Sequence, residues 1–327
     1  MATVHSPEPL REPAPAMPPD PAAALPGTWT VKSPMPAVRN EVIAVAATGR
    51  IFVLGGSLRQ NDYALTRNEE YDPATDTWRA RAPLPSGASH MAAAALDGKI
   101  YAIGGFIGRD HKGPVDRVFE YDVAADSWRA LAPLGTARGS VGAVALDGKI
   151  HAIAGRVTNE TDDWHSKGVV GTHEVYDPAT GAWTPAASLP TARDHLAVVA
   201  VGGVIHAIGG RYGSNDQMSD LHDVYDPATR SWRPAPPLPT ARGAVAGALY
   251  QGLILVVGGE DEERTYTENE GYDLESGRWR RLAPMPGGRH GHGAAVVGRS
   301  AYVVGGALQR GGRGATDELL AYTLSEG

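Results

Sequence analysis

Short runs of apolar residues, alternating with small or polar ones, recur along the whole chain and are separated by glycine, proline and aspartate. The run "HLAVVAV" at 195–201 has the alternation of an inner strand, and "KIYAIGG" ends a second strand at a glycine pair. Asp97-Gly98 and Asp147-Gly148 lie between such runs and predict two-residue hairpin turns. The pattern therefore predicts many short antiparallel strands.

A longer repeat groups these strands in fours. Each unit carries a glycine pair, which is Ala154-Gly155 in the third unit, and then a tyrosine. A tryptophan follows seven residues after the tyrosine, with a "DPAT"-type turn between the two aromatic residues. The tryptophans recur about every fifty residues, which is the period of a propeller blade. The sequence thus predicts an all-β, six-bladed propeller of four-stranded blades. The aromatic steps are Tyr71/Trp78, Tyr121/Trp128, Tyr176/Trp183, Tyr225/Trp232 and Tyr272/Trp279.

The two ends of the repeat complement each other. Trp29 has no tyrosine before it, and Tyr322 has no tryptophan after it. Residues 28–33 are therefore expected to form the outer strand of the last blade, which closes the ring and covers exposed strand edges. We interpret residues 28–327 as one propeller domain and residues 1–27, which contain eight prolines, as a disordered tail or a proline-rich docking segment.

Composition narrows the possible partners. The net charge of −7 gives no general attraction to nucleic acid or to an acidic membrane. Cysteine is absent, which removes disulfides, thiolate metal sites and cysteine nucleophiles. Neither a signal peptide nor a run of about 20 apolar residues is recognisable, so a cytoplasmic monomer is expected.

The glycine pairs, the Tyr-x6-Trp steps and the "PLPTAR" segments together resemble the kelch family of β-propellers, from Trp29 to about Tyr322. The resemblance implies the fold, whereas function lies in the loops. Kelch domains often bind partners or small ligands on one face. Bacterial members include a sialic-acid mutarotase-epimerase. Some secreted members are copper oxidases that require a cysteine, which this chain lacks, so no cofactor is expected.

An arginine precedes the first strand of five blades, sixteen residues before the first residue of the glycine pair or, in blade three, before Ala154. In blade two the same offset falls on Ala88. This regular spacing predicts a ring of guanidinium groups around the central opening, suited to a carboxylate, a phosphate or an acidic peptide. The alternative is that each arginine pairs with local oxygens and holds its blade together. The five residues are Arg39, Arg138, Arg193, Arg242 and Arg289.

Two residues after the arginine position, the blades carry Glu41, His90 and His195, with small residues in the other three. Strand alternation predicts that these side chains point the same way as the arginines. Glu41, His90 and His195 are candidates for proton transfer. They could instead bind a metal, but no metal is expected because their spacing around the ring is wide.

The loops between the second and third strands vary most, and binding residues usually lie in such loops. They share one face with the connections between blades. The candidates for ligand contact in these loops are Phe106, Arg156, Trp164, His165, Arg211 and Tyr212.

The leading hypothesis is a binding module for an anionic small molecule or an acidic protein segment over the axial opening. The alternatives are an enzyme on the same face, such as a sugar-acid mutarotase or epimerase or a biosynthetic isomerase or cyclase, and a structural scaffold.

Overall fold

The computed structural model describes residues 26–58, 63–108, 111–157, 168–213 and 217–325, and every regular element in them is a β-strand. No helix of a length and apolarity suited to crossing a membrane occurs in these ranges. The predicted all-β fold is confirmed: six four-stranded antiparallel sheets form the blades. The proposed tail, residues 1–27, lies almost entirely outside the described residues.

Each of the first three blades uses four strands consecutive in the chain. Blade one consists of β2 (Ile43–Ala47), β3 (Arg50–Leu54), β4 (Asn68–Asp72) and β5 (Thr77–Ala80). Blade two consists of β6 (Ala92–Leu96), β7 (Lys99–Ile103), β8 (Val118–Asp122) and β9 (Ser127–Ala130). Blade three consists of β10 (Gly142–Leu146), β11 (Lys149–Ile153), β12 (His173–Asp177) and β13 (Ala182–Pro185).

The last three blades follow the same order until the chain end. Blade four consists of β14 (Ala197–Val201), β15 (Val204–Ile208), β16 (His222–Asp226) and β17 (Ser231–Pro234). Blade five consists of β18 (Ala246–Tyr250), β19 (Leu253–Val257), β20 (Asn269–Asp273) and β21 (Arg278–Arg281). Blade six consists of β22 (Gly293–Val297), β23 (Ser300–Val304), β26 (Leu319–Leu324) and β1 (Gly27–Lys32). A small hairpin, β24 (Ala307–Gln309) and β25 (Arg313–Ala315), extends from blade six.

The ring closes as the sequence predicts. Strand β1 pairs with β26, which places Trp29 opposite Tyr322, and the Trp29 indole N–H donates to the Ala283 carbonyl at 2.9 Å. The innermost strands β2, β6, β10, β14, β18 and β22 contact one another in sequence, and β22 contacts β2. The N-terminal strand therefore completes the sixth blade.

The aromatic pairs connect neighbouring blades. Tyr121 lies opposite Trp128 in register, and the Trp128 indole donates to the Ala82 carbonyl of the preceding blade at 2.8 Å. The other tryptophans of the repeat make the equivalent bond to the blade before them. Apolar residues of adjacent blades form the core between them, and their burial supplies much of the stabilising free energy.

The turns also follow the sequence. Asp97 and Gly98 have φ values of 51° and 74°, the left-handed pair that a tight hairpin between β6 and β7 requires. At the opposite end of the strands, the segment that enters each blade pairs with the segment that follows the glycine pair, as in the bridges between Asn40 and Ser57 and between Asp194 and Arg211. The inter-blade connections and the variable loops therefore share one face.

Candidate functional site

The five regularly spaced arginines lie inside the blades and have no exposed surface. Each donates to the carbonyl sixteen residues later, as Arg193 does to Gly209 at 2.8 Å. Each also pairs with an acidic side chain in the third strand of its own blade or, in blade six, just before it. The ion pairs are Arg39–Glu69, Arg138–Glu174, Arg193–Asp223, Arg242–Glu270 and Arg289–Glu318.

Blade two explains the role of these pairs. Ala88 occupies the arginine position, and Phe119 occupies the strand position of the acid, so both partners are replaced together. The two residues line the same small apolar cavity. The arginines therefore connect strands within each blade. The prediction that they form a cationic ring around the central opening is wrong. These five guanidinium groups have no exposed surface and pair within their own blades, so they are not available to a ligand at the opening.

The polar residues two positions further on do reach the axis, because the backbone turns between the two positions. All six residues have φ from 50° to 59°, in the left-handed region, so the alternation of a regular strand does not apply there. The predicted common direction of arginine and polar residue is therefore wrong. We call these six residues the axial belt: Glu41, His90, Ser140, His195, Ala244 and Gly291.

Backbone hydrogen bonds between neighbouring blades hold the axial belt. The His90 N–H donates to the Glu41 carbonyl at 3.2 Å, and the Ser140 N–H donates to the His90 carbonyl at 2.8 Å. The next two members continue the pattern, with His195 donating to Ser140 and Ala244 donating to His195. The conformation occurs in every blade, so it belongs to the architecture. What distinguishes this protein is the set of side chains that it projects.

Three histidines meet at the belt. His90 and His195 come from blades two and four, and His111 reaches them from the loop of blade two. His111 Nε2 lies 3.4 Å from His195 Nε2, and the ring centroids of His90 and His111 are 4.4 Å apart. One ring nitrogen from each of the three lies within 4.8 Å of the others. We call these three residues the histidine cluster.

A buried carboxylate organises the side of the site formed by blades three and four. Asp194 has no exposed surface and pairs with both Arg156 and Arg211. Its Oδ1 lies 3.0 Å from the Nε of Arg211. Asp194 Oδ1 also lies 2.9 Å from His195 Nδ1. Arg211 extends past this carboxylate, so that its terminal nitrogen is 3.2 Å from His195 Nε2 and 3.5 Å from His111 Nε2.

The opposite side of the site is acidic. Glu41 lies 3.1 Å from His90 Nε2 and 3.6 Å from His290 Nδ1, and Glu260 lies 3.4 Å from His290 Nε2. The Glu41 carboxylate extends over Gly291, where a Cβ atom would come within 2.6 Å of it. The glycine of blade six therefore gives Glu41 the room to reach across the belt.

Burial and neighbouring charges determine the protonation of these groups. Burial lowers the pKa of His90 and His111 well below the ordinary value for histidine, and His195 and Arg211 add to the effect. Burial together with Arg211 lowers the pKa of His195 to about 4. The three imidazoles are thus neutral at pH 7.

The carboxyl groups on the two sides of the site differ in how readily they hold a proton. Burial raises the pKa of Glu41, and His290 only partly opposes it. Burial would raise the pKa of Asp194 as well, but the contact with His195 and the charges of Arg211 and Arg156 outweigh it and hold that pKa well below its usual range. Asp194 is thus a fixed negative charge, whereas Glu41 is the carboxylate that holds its proton more readily.

The remaining predicted residues are divided between the site and other locations. Phe106 is buried rather than exposed, and it packs edge-on against His90 and His111. Arg156 and Arg211 belong to the site, although both are buried and form ion pairs with Asp194. Tyr212 follows Arg211 and is partly buried. Trp164 and His165 lie outside the described residues.

Sequence reasoning missed several contributors. They are His111, Asp194, Glu260 and His290. Asp194 and His290 directly follow the arginine position. Glu260 and Arg211 directly follow a glycine pair, and Arg156 follows Ala154-Gly155, which replaces the pair in blade three. The bridges between these two positions recur in all six blades, so a charged residue at either position is the signal for a place on the axis.

Comparisons with known proteins agree with the architecture. The family model described as the KLHDC2/KLHL20/DRC7 Kelch-repeats domain matches residues 172–306, and the Kelch motif model matches residues 87–135. No curated protein matches the chain. A solved structure described as "Structure of YjhT" is similar with a TM-score of 0.75 and 18% identity, over 88% of this chain and 96% of that one. At that identity the likeness concerns the fold alone.

Proposed function

The chain belongs to the kelch-repeat β-propellers, and we propose that it is a binding module whose axial belt and adjoining loops bind a small polar molecule. One observation supports the proposal. Charged and polar side chains from several blades converge at the belt, whereas equivalent positions in the other blades carry alanine or glycine. Blade packing alone does not require such a difference between repeats.

The charges support a particular ligand class. Arg156 and Arg211 share the single carboxylate Asp194, which leaves one side of the site cationic. Glu41 and Glu260 face the neighbouring side and make it acidic. A ligand that satisfies both sides carries a carboxylate at one end and hydroxyl or ammonium donors at the other. The expected anionic ligand is thereby narrowed to a hydroxy acid, such as a sugar acid, or an amino acid zwitterion.

A thermal-shift panel tests this ligand class. Gluconate and free amino acids should raise the melting temperature more than glucose, which lacks the carboxylate, or acetate, which lacks the donors. Ligand at about a hundred times its Kd adds about 2.7 kcal/mol to the free energy of unfolding, which is readily measured. No stabilisation by any hydroxy acid or zwitterion would reject the proposed ligand class.

Two variants test the location. Arg211→Gln should weaken binding of the active compound about tenfold to a hundredfold, because one charge-assisted hydrogen bond contributes about 1.5–3 kcal/mol. Asp194 keeps Arg156 and His195 as partners in this variant. Arg264→Gln is the matched control, since it removes the same charge from an exposed arginine in a loop on the same face. Equal affinities of the two variants would place binding away from the belt.

The ligand panel and one further measurement distinguish the two alternative functions, an isomerase and a structural scaffold. An isomerase on this face would also interconvert the anomers of a bound sugar acid, which proton NMR detects at equilibrium. A pure scaffold would bind no member of the panel. Both remain predictions from the sequence.

A further inference from the structure

One pair of nitrogens in the histidine cluster has the spacing of a metal centre, and the third histidine lies close to that pair. Two imidazole nitrogens that bind a tetrahedral ion at about 2.0–2.1 Å lie about 3.3–3.4 Å from each other. His111 Nε2 and His195 Nε2 are 3.4 Å apart, and His90 offers a third nitrogen within 4.8 Å of both. The three residues come from one loop and two different blades, so their meeting is a property of the fold and not of one local motif.

The outer contacts also fit. Metal-binding histidines almost always donate their other ring N–H to an oxygen, which fixes the tautomer. For His195 the buried Asp194 can supply that oxygen, since its Oδ1 lies 2.9 Å from Nδ1. For His90 either nitrogen has such a partner: Glu41 is 3.1 Å from Nε2, and the Ser89 hydroxyl is 3.1 Å from Nδ1. Whichever nitrogen of His90 binds, the other one is held.

Arg211 opposes a cation in this place. Its terminal nitrogen lies 3.2 Å from His195 Nε2 and 3.5 Å from His111 Nε2, close to where the ion would bind. An ion therefore displaces this end of the side chain, while Arg211 Nε retains its contact with Asp194. Asp194 lies 2.9 Å from His195 Nδ1 and Glu41 lies 3.1 Å from His90 Nε2, so a divalent ion in the cluster would have a carboxyl group on either side.

We propose that His90, His111 and His195 bind one divalent transition metal ion, with a fourth position open towards the axial opening. Three imidazole ligands and the absence of cysteine favour zinc or a neighbouring first-row ion over magnesium or calcium, which prefer oxygen ligands. An open fourth position would suit a water molecule or a carboxylate. The proposal shares the site of the proposed ligand but needs no organic molecule, so the two can fail separately.

Metal titration of the full chain without an affinity tag tests the site. After chelator treatment and dialysis, zinc is added in competition with a chromophoric chelator, and cobalt(II) is added to record the visible absorption of the bound ion. We expect one tight site per chain. His111→Asn and His195→Asn should weaken it about a hundredfold or more, because outer-shell partners alone contribute about tenfold to a hundredfold.

Two further variants make the outcome decisive. His206→Tyr removes a histidine from the interior of blade four and copies Tyr101 of blade two, so it should bind zinc as the unmodified chain does. Arg211→Gln should bind zinc more tightly, because the opposing cation is gone. Melting curves show whether each variant is folded.

Three results would overturn the proposal. One is that zinc binds to neither the unmodified chain nor Arg211→Gln. Another is that zinc binds equally to the His111 and His195 variants, as an adventitious ion would. The third is that zinc binds only to Arg211→Gln, since the guanidinium group would then be the native occupant of the cluster.

Discussion

Replacing Arg242 by alanine should destabilise the propeller strongly, because the arginine is part of blade five and not of the axial surface. Arg242 is fully buried and pairs with Glu270, which is 2% exposed. It also donates to the carbonyls of Thr240, Val256 and Gly258 at 2.8, 3.0 and 2.7 Å. Removing one partner of a buried ion pair leaves the other charge uncompensated, which costs about 3–5 kcal/mol.

Blade two shows which second substitution should compensate for the loss of Arg242. There Ala88 and Phe119 occupy the positions of arginine and acid. The double variant Arg242→Ala, Glu270→Phe copies this arrangement and removes the stranded carboxylate. We expect it to be more stable than the single variant Arg242→Ala, with a coupling energy of about 0.5–3 kcal/mol, the range for residues in direct contact.

Chemical unfolding followed by tryptophan fluorescence measures both effects, with Glu270→Phe completing the cycle. Arg264→Gln is the control, because its exposed ion pair should contribute less than about 1 kcal/mol. A loss below about 1 kcal/mol in Arg242→Ala would refute the structural role, as would a double variant whose destabilisation equals the sum of the two single changes.

Two further predictions concern ring closure and pH. Deleting residues 1–25 keeps strand β1, whereas deleting residues 1–34 removes it and its pairing with β26, so only the second deletion should lower the melting temperature; equal melting temperatures would contradict the closure. Burial lowers the pKa of His206 to about 4 and that of His222 to about 3, so both residues stay uncharged in the folded chain. In the unfolded chain the same two histidines take up protons below about pH 6.5. The free energy of unfolding should therefore fall from pH 6.5 towards pH 4, and less steeply when the pair is replaced by the tyrosine and valine of blade two; identical pH slopes would disprove this.

The architecture was predictable because its determinants are local and repeated. The glycine pairs, the Asp-Gly turns and the Tyr-x6-Trp steps each act within a few residues, and the unpaired Trp29 and Tyr322 were enough to predict how the ring closes. Such signals need no knowledge of distant contacts.

The direction of the arginines was not predictable from spacing alone. Their regular position indicated a common place in each blade, but the left-handed residues that follow them reverse the orientation expected of a strand. One available signal was the joint replacement of arginine and acid in blade two by Ala88 and Phe119. A residue that varies together with a neighbouring strand position indicates a partner within the blade.

The site was predictable only in part. Glu41, His90 and His195 share one repeat position, so the sequence grouped them, and the structure brings them to the same axis. His111 depends on the path of a single loop, and the meeting of Asp194 with Arg156 depends on the distance between blades three and four. The catalytic role expected of Glu41, His90 and His195 remains a prediction.

A crystal structure of the chain with the most stabilising compound of the hydroxy-acid and amino-acid panel tests the central claim most directly. The binding-module account predicts density for the compound at the axial belt, with its carboxylate near Arg211 and its donor groups towards Glu41. Density on the outer rim or between the blades, with an empty axial belt, would contradict the account.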